Sequence, residues 1–97
     1  MRFMKDKNYN QDLFKAILSL ETIEECERFF DDLCTIAEIQ AMSQRLEVAE
    51  MLKHQTIYNE IVAKTGASSA TVSRVARSLN YGSDGYKLVL ERLERDK

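Results

Sequence analysis

Apolar residues recur along this chain at spacings of three and four, the repeat of one face of an α-helix. Leu13, Phe14, Ile17, Leu18 and Leu20 predict an amphipathic helix over roughly 10–20, and Ile23, Cys26, Phe29, Phe30 and Leu33 predict a second. Ile36, Ile39, Met42, Leu46, Ala49 and Leu52 stripe a long third helix, about 36–54. Ile57, Ile61 and Val62 mark a short fourth. Val72, Val75, Ala76 and Leu79 mark a fifth over about 68–79, and Tyr86, Val89, Leu90 and Leu93 a sixth over about 84–95. Thr22 and Thr35 are each followed three residues later by glutamate, the spacing of a capping box. Thr56, Ser68 and Ser83 are further N-cap candidates. The chain has no proline, and its three glycines stand at or near predicted helix ends. The fold class is all-α, with six helices and neither repeats nor linkers.

Six short helices in 97 residues raise a packing problem, because surface-to-volume scaling leaves a small monomer little interior. Phe14, Phe29 and Phe30 add aromatic bulk to the N-terminal stripes. We therefore expect an intertwined homodimer in which helices one, two, three and six bury their apolar faces together, the alternative being a tight monomeric bundle. A hydrophobic fraction of 44% with 31% charged residues is that of a soluble globular chain. No run of about 18 apolar residues predicts a membrane span, and no secretory leader is expected. Cys26 and Cys34 make no ligand pattern with His54, so no metal site is expected and a reduced, cytoplasmic setting is. Both cysteines read as core packing on one helix face, and His54 as a cation closing the third helix. With no Ser/His/Asp set, phosphate loop or HExxH motif, no catalytic residues are assigned and an enzyme is not expected.

Charge changes the picture only when taken by region. The formal net charge is −2, but residues 1–41 carry five Lys/Arg against nine Asp/Glu, whereas residues 42–82 carry five against three. The basic stretch coincides with a short helix, a turn at Gly66 and a second short helix, the spacing of a helix-turn-helix over about 56–79. In that unit Ile61 faces the core, Gly66 takes a left-handed turn, and Val72 and Val75 pin the second helix against the first. Val62 and Ala63 are small enough for the two helices to approach closely.

If Val72, Val75 and Leu79 point inward, the outward face shows Ser69, Ala70, Thr71, Ser73, Arg74 and Arg77. Hydroxyls and a methyl let a helix settle into a major groove about 12 Å wide and touch base edges there. Arginine can bond phosphate or guanine. Ser69, Ala70, Thr71 and Ser73 are thus the candidate base readers, and Ser68, Tyr58, Lys64 and Arg77 the candidate phosphate partners. Capping alone is the plain alternative for Ser68, and a solvated surface for the others.

The stretch from Thr35 to Leu79 resembles the Trp repressor superfamily and looks closest to its YerC/YecD-type branch. The likeness rests on a Glu-x-x-Ala start with Arg45 on the long helix, then Gly66-Ala67, Ala70-Thr71-Val72-Ser73-Arg74 and Ser78-Leu79. It covers about half of the chain. The resemblance implies one DNA-binding domain over 1–97, an intertwined homodimer that presents two helix-turn-helix heads to a palindromic operator on double-stranded DNA. Ala70, Thr71 and Ser73 match the family's base-reading positions. Arg45 and Arg74 match the arginines that sandwich a tryptophan indole, and Thr35 and Ser78 match polar positions of the same effector pocket. Val75, however, stands where the tryptophan repressor has glycine, and a β-branched side chain there crowds an indole plane. A different small effector, or none, is favoured over L-tryptophan, and no cofactor is assigned. The reading is a cytoplasmic transcriptional regulator, a repressor, with no membrane partner. Its rival is a helical protein-interaction module without DNA binding, whose main contact is the acidic N-terminal part.

Overall fold

The computed structural model describes residues 7–96, with side chains from residue 10 onward, and every regular element among them is an α-helix. The order is α1 (Lys7–Leu18), α2 (Ile23–Leu33), α3 (Ile36–Lys53), α4 (Tyr58–Thr65), α5 (Ser69–Tyr81) and α6 (Gly85–Arg95). Among the described residues no helix is long and apolar enough to cross a membrane. The chain divides into two compact units, one ending at Ile36 and the other beginning at Ala37.

The first unit contains α1 and α2. Helix α1 stops short of the expected end, because Ser19 Oγ donates to the Ala16 carbonyl at 2.6 Å and Leu20 N–H to the Ile17 carbonyl at 3.1 Å. These local bonds tighten the last turn and release the chain from the helix. Thr22 caps α2 as its spacing predicts, accepting the Glu25 N–H at 3.0 Å. The Glu25 carboxylate accepts from the Glu21 N–H at 2.9 Å, one residue ahead of the bond a capping box makes. Helix α2 buries no residue, and Leu18 and Ile23 are 83% and 79% exposed. The cysteines are not core residues here: Cys26 is exposed, and Cys34 is half-buried as the C-cap of α2. Two short helices have too little surface between them to enclose their apolar stripes.

The second unit has a true core. Val48 and Ala49 of α3, Ile61 of α4, Ala67 of the turn, Val72 and Val75 of α5, and Leu90 of α6 are buried together, flanked by Met51, Leu52, Val62 and Tyr86. Ala63 is exposed, so only Val62 serves the close approach expected of the pair. Two helix starts differ from the cap expectations, and the end of α3 carried no cap signal. Helix α3 ends at Lys53 in a Schellman arrangement: Thr56 N–H bonds the Met51 carbonyl at 3.0 Å and Gln55 N–H the Leu52 carbonyl at 2.9 Å. Gln55 occupies the left-handed region at φ 62° to allow it. The N-caps of α4 and α6 are Ile57 and Asp84 rather than Thr56 and Ser83, and neither makes a side-chain cap bond. Lys53 Nζ lies 2.8 Å from Glu94 Oε1 and His54 Nε2 lies 3.7 Å from Glu94 Oε2, joining the end of α3 to the end of α6.

Candidate nucleic-acid interface

Helices α4 and α5 form a tight pair around Gly66, which takes φ 75° as the C-cap of α4. A left-handed residue there costs glycine nothing and an L-residue about 1 kcal/mol. Side chains knit the turn. Thr65 Oγ1 donates to the Ile61 carbonyl at 2.8 Å and accepts the Ala67 N–H at 3.1 Å. From α3, Gln44 Nε2 donates to the Thr65 carbonyl at 3.2 Å, tying the turn to the long helix. Gln44 and Thr65 were invisible to sequence reasoning. Thr65 is one hydroxyl among many, and Gln44 reaches a partner 21 residues away.

Helix α5 begins with Ser68, whose Oγ accepts the Thr71 N–H at 3.1 Å. This side-chain cap supplies a helix start that Ser69, Thr71 and Ser73 alone would support poorly. Val72, Val75 and Leu79 are buried at 0%, 2% and 8% exposure. Their spacing leaves the other side of the helix outward: Ser69, Ala70, Ser73, Arg74 and Arg77 are exposed and Thr71 half-exposed. Among the described residues Arg45, Arg74 and Arg77 make no ion pair, whereas Lys64 Nζ lies 3.7 Å from Glu60 Oε2 on its own helix. That exposed pair holds its lysine weakly. Tyr58 opens α4 and is 45% exposed.

The effector residues are brought together in part. A groove of about 610 Å³ is lined by Met42, Arg45 and Leu46 of α3, Ser78 of α5, Gly82 and Ser83 beyond it, and Gly85, Tyr86 and Val89 of α6. Arg45 and Ser78 therefore share one concavity. Arg74 sits a helical turn before Ser78 and is not part of the lining, and Thr35 belongs to the first unit. Val75 lies in the core, as its place on the inward side of α5 requires, and is not part of this lining. Among the described residues no group of His, Cys, Asp and Glu is placed to hold a metal ion.

Gly82 is required by close approach: a Cβ at this position would collide with the Ser78 carbonyl oxygen. Gly82→Ala is expected to shift the end of α5 and lower stability by about 1–3 kcal/mol, read by urea denaturation. A Gly82→Ala chain as stable as wild type would show that this end of the groove yields.

The sequence that builds the glycine-hinged α4–α5 pair and the outward, hydroxyl-rich side of α5 matches, over residues 8–94, the family described as Trp repressor protein. The chain belongs to the Trp repressor family. Its match to the family runs through both units. The uncharacterized protein YerC of Bacillus subtilis is 56% identical over 91 residues, covering 94% of this chain and 86% of YerC. A crystal structure from Staphylococcus aureus, described as a candidate Trp repressor, superposes with a TM-score of 0.89 at 50% identity, covering 97% of this chain and 95% of the other. A TrpR-like protein of Eubacterium eligens superposes with a TM-score of 0.87 at 54% identity, covering 97% and 96%. The family comprises DNA-binding regulators rather than enzymes.

Proposed function

We propose that this chain is a homodimeric, cytoplasmic transcriptional repressor that reads a palindromic operator by inserting α5 into the major groove. The observation that carries the reading is the two-sidedness of α5, with Val72 and Val75 buried and Ser69, Ala70, Ser73 and part of Thr71 outward. Small polar groups and methyls fill the outward positions from Ser69 to Ser73, ahead of Arg74, which suits close approach to base edges. Ser69, Ala70, Thr71 and Ser73 contact bases, while Tyr58, Lys64, Arg77 and the capped N-terminus at Ser68 meet phosphates. The helix-turn-helix over 56–79 is the head of one DNA-binding domain spanning residues 1–97, and α1, α2, α3 and α6 form its dimer body. Two heads would engage half-sites about 34 Å apart. A small effector, where one acts, would enter beside Arg45 and Ser78, and the resemblance alone adds Arg74 and Thr35 to the set.

The test is electrophoretic titration on an operator and on random duplexes across a range of salt. Thr71→Ala is expected to reduce discrimination between the two by about 1 kcal/mol. Lys64→Ala should weaken binding to all duplexes and flatten the salt slope by about one unit. Equal losses on both duplexes for Thr71→Ala would remove its base-reading role. Absence of salt-dependent binding by the wild-type chain would return it to the interaction-module reading.

A further inference from the structure

The Ser68 hydroxyl makes two bonds to the same residue. Its Oγ accepts the backbone N–H of Thr71 at 3.1 Å, and its own proton is donated to Thr71 Oγ1, also at 3.1 Å. The first bond is an ordinary helix cap. The second is not needed for capping, and it reaches the one residue of the outward face that is only half-exposed. A threonine hydroxyl carries one proton and two lone pairs. With one lone pair engaged by Ser68, the Thr71 side chain is held in a single staggered rotamer and its γ-methyl takes a set direction. A hydroxyl that accepts a hydrogen bond becomes a stronger donor, because bonds in a chain polarise one another.

We infer that Ser68 is a positioning residue for base reading, fixing the Thr71 side chain and polarising its hydroxyl as a donor toward acceptor-bearing base edges and against cytosine. The inference rests on the helix-turn-helix reading above. In the major groove guanine, adenine and thymine each offer an acceptor, whereas cytosine offers the N4 amino donor. A thymine opposite Thr71 would gain twice, through O4 and through contact between the two methyls. The Ser68 proton is spent inside the protein, so the hydroxyl gives a phosphate nothing. Any phosphate contact at this helix start belongs to backbone N–H groups.

The experiment selects the full chain against a pool of randomised duplexes, then measures affinity for the selected duplex and its single-base variants. Thr71→Val removes the hydroxyl and keeps the shape. Ser68→Gly removes the positioning group while leaving a tolerated N-cap, and Ser68→Thr restores a hydroxyl. Thr71→Val and Ser68→Gly are expected to relax the preference at the same base pair of each half-site by roughly fivefold. The orientation that places cytosine toward α5 should gain most. Ser68→Thr should keep the wild-type preference, and the salt slope of Ser68→Gly should match wild type. The inference is overturned if Ser68→Gly weakens all duplexes equally, lowers the salt slope, leaves the selected profile unchanged, or relaxes a different base pair from Thr71→Val. It also fails if Thr71→Val moves no position. If the wild-type chain enriches no sequence, the helix-turn-helix reading fails first, a result distinct from an enriched sequence indifferent to Ser68.

Discussion

A chain carrying Leu18→Glu and Ile23→Glu is expected to sediment at its single-chain mass of 11.2 kDa, and the wild type is expected at twice that. Both side chains are almost wholly exposed in the single chain, at 83% and 79%, and Ile36 joins them at 71%. Phe14, Leu33, Met42, Leu46, Val89 and Leu93 add further exposed apolar surface on the helices assigned to the dimer body. Burying one such side chain contributes about 1.5–3 kcal/mol. Exposed apolar surface on this scale marks an interface, and a carboxylate placed inside it is costly to desolvate. Losing the second head should lower affinity for a duplex with two half-sites by about 10²–10⁴-fold, because the second contact is then no longer intramolecular. The wild-type melting temperature should rise with protein concentration, as for any chain stabilised by its own copy. A wild-type chain that sediments singly at all concentrations would reject the homodimer.

Ile61→Ala is expected to destabilise the second unit by about 2–5 kcal/mol in urea denaturation, a large share of the roughly 5–15 kcal/mol available to a domain. Ile61 is at 0% exposure among Val48, Ala49, Ala67, Val72, Val75 and Leu90, so truncation leaves a cavity that rigid helices cannot close. DNA affinity should fall with the folded fraction. Ile57→Ala, four residues earlier, should stay within about 0.5 kcal/mol. Ile57 is the N-cap of α4, outside its first turn, and is 68% exposed. The periodic pattern puts the two isoleucines on one stripe, and the cap separates them. Comparable losses for both would mean that Ile57 is covered in the working protein.

Much of the candidate site was legible because its signals are local. Ser68 three residues before Thr71 announces a cap, and the valines at 72 and 75 with Leu79 announce which side of α5 is covered. Gly66 stands where a left-handed turn is needed, and takes one. Boundaries were less legible where nature used a residue without a signal. Gln55 and Asp84 occupy left-handed backbone with no glycine to mark them, so Thr56 and Ser83 looked like caps and are not. The Gln44–Thr65 bond spans two helices and has no trace in local spacing. Arg45 and Ser78 could be matched by motif, but Met42, Leu46, Gly82, Tyr86 and Val89 join them in the groove only through the packing of α3, α5 and α6.

Helix number, the inward and outward sides of α5, and the caps at Thr22 and Ser68 follow from residues within a turn or two of each other. Backbone hydrogen bonding and side-chain period act over that range, so the chain's order of residues determined them by itself. Tertiary structure alone decided that Val48 rather than Leu46 fills the core, that Arg74 stays off the groove wall, and that Cys26 faces out. Burial is settled by which helices meet, and that depends on the summed fit of surfaces far apart in sequence, which no single stretch contains.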